Sequence, residues 1–385
     1  VLATMVLVML SSTASLYFGA EDALNARYPR EIVLTLRTVD SSGLENENIS
    51  ALRSEINEVA LQNNVQPSNI NDYRLTSFGG ILQGNSVETD PDITDQIGAQ
   101  ALFSAVQFYF IPLDDYNSMM GENKTLESGE ALIYTNRIDY NYDSISFNHG
   151  NSFRIKEHIE DFSGNGEAAV NMISSIMLVV PDVSASLAGL ERFLNQKGQE
   201  LSRNWYYEFD TGAEGDGQIA LRGALRERLN EIFETDDTFY SFTCSSREAE
   251  TDSFFATFGS LFYLGIILSA VFISAAVLII YYKQISEGYE DRERYRIMQQ
   301  VGLQKEEVRS SINKQVLIVF FAPLVVAAVH VAFDFSLVKL MLQLFGLMNV
   351  QLALWCTVGS FAGFALIYAL VYMRTAKVYY KIVSE

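Results

Sequence analysis

Two cysteines, three histidines and six prolines in 385 residues leave little material for several chemistries. Cys244 and Cys356 are the whole thiol complement, and Cys356 lies in a long apolar run, so no disulfide pairs them and no metal cluster is expected. The chain has no GxxxxGK[ST] phosphate loop, so it does not cradle nucleotide itself, and it has no GxSxG elbow or HExxH pair. Catalysis and a bound cofactor are therefore not expected. Charge is missing too, from four stretches: residues 1–20, Ser260–Tyr282, Gln315–Phe333 and Val350–Met373.

Where charge does occur it is divided. The net charge is −20 although 49% of residues are hydrophobic. Residues 20–253 hold 39 Asp/Glu against 16 Lys/Arg, with only Lys124, Lys156 and Lys197 as lysines, while residues 254–385 hold 8 against 11. An acidic, water-soluble part is thus joined to an apolar, slightly basic one.

The apolar part reads as membrane. "SLFYLGIILSAVFISAAVLIIYY" spans ~34 Å as a helix, enough for a ~30 Å hydrocarbon core. Spans are predicted at about 260–282, 315–333 and 350–373. Residues 1–20 read as a fourth span cut at its start rather than a signal peptide, since a basic leader is absent, and the chain is expected to be a fragment. Lys283, Arg292, Arg294, Arg296, Lys305, Arg309 and Lys314 share one loop, and Arg374, Lys377 and Lys381 the tail, whereas Lys339 stands alone in the other loop. The positive-inside bias makes the 283–314 loop and the tail cytoplasmic and residues 21–253 external. The expected fold is a membrane protein with four transmembrane α-helices and a large α+β extracellular domain between helices one and two. Gly265/Ser269 and the GxxxG of Gly359/Gly363 are candidate helix-packing residues, because small side chains let backbones approach in lipid. Pro323 is a candidate kink, and His330 is expected near the outer interface.

The acidic part mixes both periodicities. Glu31–Val39, Ala105–Leu113, Asn171–Asp182 and Asn204–Asp210 read as strands, and Ser144–Ile155 as a hairpin. Ile49–Asn64, Leu187–Gly198 and Ala220–Phe233 read as helices, and Asp114 opens a short one. Glu88–Gln96 and Asp210–Gly217 carry acids at spacings loosely like calcium loops, but neither completes the EF-hand pattern and both read as solvated turns. An acidic field attracts cationic ligands. Local charge density makes Asp90, Asp92 and Asp95 one candidate recruiting face.

Between two apolar runs stands "EGYEDRERYRIMQQVGLQKEEVRSSINKQ". Asp291–Val301 is predicted as a short amphipathic helix lying across the membrane surface, stopped by Gly302. The stretch "DRERYRIMQQVGLQKEEVRSSINKQVLIVFFAPL", within about Phe254–Val383, resembles the FtsX-like permease domain of type VII (MacB-like) ABC transporters. It looks most like the Bce-type permeases of Gram-positive bacteria, whose large external domain lies between the seventh and eighth of ten spans. The four-span MacB plan also fits the topology.

The resemblance implies a permease subunit whose ATP is bound by a separate ABC ATPase dimer. Asp291–Val301 would be the coupling helix, with Tyr295 and Met298 as packing knobs, Asp291, Arg292, Arg294 and Arg296 in the charged docking face, and Gly302 as the hinge cap. Implied partners are the ATPase, membrane lipids, a peptide or lipid-linked ligand and, in some relatives, a sensor histidine kinase; no nucleic acid is expected. Export, detoxification or sensing of antimicrobial peptides is the leading expectation. A non-transporting FtsX-type regulator of cell-wall enzymes and a MacB-like exporter of peptides or lipoproteins are the alternatives.

Overall fold

A computed structural model describes residues 1–38, 41–90, 105–160, 162, 174–234, 239–302, 305–345, 347 and 349–384. The chain divides into two compact units, residues 24–253 and residues 1–23 with 254–385.

The first unit mixes α and β. Its strands are β1 (Ile32–Thr38), β2 (Ser68–Gln83), β3 (Ser86–Glu88), β4 (Ala105–Pro112), β5 (Glu130–Asn136), β6 (Ser144–Phe147), β7 (Ser152–His158), β8 (Ser174–Val180), β9 (Ser202–Asp210) and β10 (Phe239–Ser246). Among the described residues they form one sheet in the order β10-β1-β9-β2-β3-β6-β7-β5-β8-β4, which returns on itself through β2–β4. Closure depends on the 16-residue length of β2: its first part pairs with β9, and its second part with β4 and then β3.

Period-two alternation divides the side chains of β9. Trp205, Tyr207 and Phe209 enter a core with Leu34 and Leu36 of β1, Leu52 and Ile56 of α3 (Asn46–Gln62) and Leu221 and Leu225 of the Gly215–Phe233 helix. Tyr206 enters another core, stacked on its cross-strand partner Tyr73 at 4.9 Å and joined there by Tyr116 of α4 (Leu113–Met120). A third core sets Leu187, Leu190 and Leu194 of α5 (Val183–Gln196) against Phe108, Phe110 and Leu178. Asp182 caps α5 by accepting a hydrogen bond from the Ala185 amide at 3.0 Å. The Gly215–Phe233 helix is α6 below.

The second unit is helical: α1 (Leu2–Phe18) and α2 (Ala20–Arg27, whose last residues belong to the first unit), α7 (Arg247–Gln300, whose first turns belong to the first unit), α8 (Lys305–Leu344) and α9 (Val350–Ser384). Among the described residues, three helices are long and apolar enough to cross a membrane, at Arg247–Ile297, Phe321–Gln343 and Val350–Val383. The pair α1 and α2, bent by 53°, makes a fourth if it is one span. The bend falls at Gly19, where a Cβ would lie 1.9 Å from Leu347 Cδ1 and 2.9 Å from the Ser15 carbonyl oxygen, so a side chain there would have to displace its neighbours. Val6 and Leu7 of α1 pack with Leu324 and Ala327 of α8 and with Phe364 and Tyr368 of α9.

The helix α7 corrects two boundaries. A span ending near Tyr282 and a separate surface helix at 291–301 were expected; instead one helix of 54 residues, ~81 Å long, runs through both. Residues 283–290 contain good helix formers, and Lys283–Glu287, Asp291–Arg294 and Glu293–Arg296 pair along the helix. Gly288, the weak helix former in this stretch, faces α9, with Tyr379 Cδ2 3.3 Å from a Cβ position. Likewise α8 begins ten residues before the expected span and continues through Pro323. One turn back, the proline ring leaves a backbone carbonyl without its usual helical partner.

Candidate functional site

The last turns of α7 carry the residues singled out for docking, and the structure divides them between two faces. Asp291 points inward: its Oδ2 accepts the Tyr379 hydroxyl at 2.8 Å, and its side chain is only 14% exposed. Tyr295, one turn later, is buried in the same cluster as Tyr379 and Val383. Its ring is therefore a strut between α7 and α9, not a knob offered to solution.

The outward face is formed by other side chains. Arg292, Arg294 and Arg296 are exposed, and the last two are held by Asp291 at 3.3 Å and Glu293 at 2.8 Å. Ile297 and Val301, four residues apart, are 52% and 84% exposed. Sequence reasoning passed over Ile297, although its i, i+4 spacing to Val301 was a readable signal. The Met298 side chain lies outside the described ones. The helix ends at Gln300, and Gly302 has φ +112, backbone that side-chain-bearing residues rarely adopt. The arrangement is a charged ridge beside two exposed aliphatic side chains, ending at a glycine turn.

The expected packing residues also part company. A Cβ on Gly265 would lie 2.3 Å from Thr13 Oγ1, so this glycine lets α7 and α1 touch. Ser269, one turn on, is buried. Gly359 and Gly363 have no neighbouring atom within 4 Å of a Cβ position, and both are exposed on α9. They pack against nothing described in this chain, which corrects their assignment as contact residues within it. His330 is exposed, with Nδ1 3.4 Å from Thr4 Oγ1.

In the α/β unit, Asp92, Asp95 and most of the Glu88–Gln96 stretch lie outside the described residues. Asp90 faces Lys197 at 3.6 Å. Asp210, of the other acidic turn, accepts from the Glu31 amide at 3.2 Å and Asn69 Nδ2 at 2.9 Å and pairs with Arg30 at 3.4 Å, so protein donors already surround it. Glu31 in turn accepts from Thr211 N at 2.7 Å and Gly212 N at 3.1 Å. This polar cluster fixes the start of β1 to the end of β9.

At its inner edge Glu208 is 2% exposed, and it accepts from Asn71 Nδ2 at 3.1 Å and Tyr73 Oη at 3.4 Å. Burial pushes its carboxyl up to about 7, against the opposite pull of Asn71, Tyr73 and the Arg30 charge. Burial likewise pushes the Cys244 thiol up to about 12, far from the range of a reactive thiolate. Among the described residues no group of three His, Cys, Asp or Glu side chains is placed to hold a metal ion.

No family model matches this chain. It is 33% identical over 108 residues to the ABC transporter permease protein YxdM of Bacillus subtilis (strain 168). The match takes in 28% of this chain and 17% of that relative's length. Its apolar helices and this similarity make the chain a membrane protein related, over that stretch, to an ABC transporter permease.

Proposed function

We propose that the chain works as the permease subunit of an ABC transporter, in which a separate, dimeric ATPase drives movement of the α/β unit during export, detoxification or sensing of antimicrobial peptides. The observation that carries this reading is α7, which runs unbroken from Arg247, the residue after β10, through an apolar span to the exposed Arg292, Arg294, Arg296 and Ile297. On this reading α7 is the element through which a displacement at the docking end would reach the α/β unit. The lysines and arginines of the 283–314 loop and the tail support a cytoplasmic position for the docking end and an extracellular one for the α/β unit, in the cell membrane of a bacterium. A sensor histidine kinase is a further partner on this reading.

The test has two arms. Ser54→Cys should react with an impermeant thiol reagent on intact cells, and Val301→Cys only after permeabilisation; the reverse pattern overturns the topology. The purified protein should also bring down an ABC ATPase, and deleting the chain should sensitise cells to antimicrobial peptides. ATPase association with unchanged sensitivity would favour a regulator of cell-wall enzymes or an exporter of other peptides or lipoproteins.

A further inference from the structure

One exposed face of α9 changes character along its length. Trp355, Gly359, Gly363, Leu366, Leu370 and Met373 follow one another at steps of three or four residues, so they share a face, and each is exposed. Lys377 and Lys381 continue the same face, with Arg374 beside them, and all three are exposed. The face is thus uncharged from Trp355 to Met373 and strongly basic beyond. From Val350 to Ser384 the helix has no Asp or Glu of its own to neutralise these cations.

The spacing along this face fits a bilayer. Trp355 is 65% exposed, and tryptophan favours the membrane–water interface. Arg374 and Lys377 lie ~28 Å and ~33 Å further along the helix, against ~30 Å for a hydrocarbon core. An aromatic anchor therefore stands at one interface while the cations reach the headgroups at the other. Arginine and lysine suit that place, because their long stems follow apolar surface and deliver charge to the polar layer. A soluble acidic protein or a nucleic acid would use the cations but leave the apolar stretch leading into them without a role.

We infer that Arg374, Lys377 and Lys381 form a binding place for anionic phospholipid, its phosphate against the cations and its acyl chains along Leu366, Leu370 and Met373. Charge complementarity selects an anionic headgroup over a zwitterionic one, which brings a cation of its own to the same place. The inference uses the membrane-spanning character of α9 and neither the ATPase nor the peptide of the reading above.

The experiment reconstitutes the purified full chain in vesicles of equal phosphatidylglycerol and phosphatidylcholine with identical acyl chains. The protein is then extracted in mild detergent, and its retained lipids are counted by mass spectrometry. Phosphatidylglycerol should be enriched over phosphatidylcholine by about fivefold or more, since a single basic residue near an anionic surface contributes about fivefold. Arg374→Gln with Lys377→Gln should bring the ratio close to one. Arg374→Lys keeps the charge and should keep the enrichment. The control pair Arg192→Gln with Arg226→Gln removes the same charge at exposed positions of α5 and α6 and should leave the ratio within about twofold. Equal retention of both lipids by the natural chain, the same loss in both paired variants, or loss in Arg374→Lys would overturn the site. A stable dimer in detergent with no lipid preference would give this face to a second copy and overturn it as well. No ATPase is present, so failure of the lipid site and failure of the permease reading are separate results.

Discussion

The Tyr379 hydroxyl of α9 reaches across to the Asp291 carboxylate of α7 at 2.8 Å, joining residues 88 apart in sequence at the point where Gly288 lets the helices touch. A hydrogen bond to a charged acceptor in a half-buried place contributes ~1–2 kcal/mol. Tyr379→Phe and Asp291→Asn should each lower the unfolding stability of the purified protein, and the double variant should cost ~1 kcal/mol less than the two single losses added together. Strict additivity in the cycle would show that the pair does not couple.

The two faces at the end of α7 separate docking from folding. Ile297→Asp and Val301→Asp place charge on exposed aliphatic positions and should leave the protein in the membrane while abolishing ATPase copurification. Tyr295→Asp places a charge in the core between α7 and α9, at a cost of several kcal/mol, so the amount of folded protein should fall first. Membrane abundance measured beside copurification distinguishes these outcomes. Normal abundance and lost copurification for Tyr295→Asp would contradict the inward placement of the ring.

Two small-residue pairs that look alike in sequence should behave differently. Gly265→Ala forces a methyl into Thr13, whose own hydroxyl is tied to the Met9 carbonyl at 2.8 Å, so the helices must separate; overpacking of this kind costs ~1–3 kcal/mol. Gly359→Ala and Gly363→Ala meet no neighbouring atom, and the isolated chain should keep its stability to within about 0.5 kcal/mol. Thermal unfolding in detergent measures both, and equal losses would refute the assignment of contacts.

What the sequence showed of this arrangement depended on how local each cause was. The runs that became β1, β4, β8 and β9 are apolar enough to stand out, and α3 and α6 carry helical spacing that needs no partner to be seen. In contrast, β2 mixes Asn69, Asn71, Asp72 and Arg74 with Gly79 and Gly80; it is a strand because β9, β4 and β3 pair with it. Polar residues 283–290 suggested a loop outside the membrane, although polarity is no obstacle to helix beyond a bilayer. The inward turn of Tyr295 was invisible because its partner, Tyr379, comes 84 positions later. The cavity lined by Glu45, Arg74, Asp114, Ser184 and Arg203 draws on five separate stretches of chain, and no one of them carries its pattern.

Glu208 gives the α/β unit a pH dependence of definite sign. Its folded pKa of about 7 lies above the ~4.3 of an unfolded glutamate, so the folded state holds the proton more tightly. The favourable contribution is fully present below about pH 4 and is lost as pH rises through about 7, a change on the order of 3 kcal/mol. Glu208→Gln keeps the size of the side chain and removes the titration. It should therefore be more stable than the natural protein at pH 8, by ~3 kcal/mol, and nearly equal to it at pH 4. Trp205, whose Nε1 donates to Asp72 at 2.7 Å in the same part of the sheet, supplies a fluorescence signal for denaturant titrations across this range. A variant less stable than the natural protein at pH 8 would mean that the ionised carboxylate is held by its neighbours better than burial opposes it.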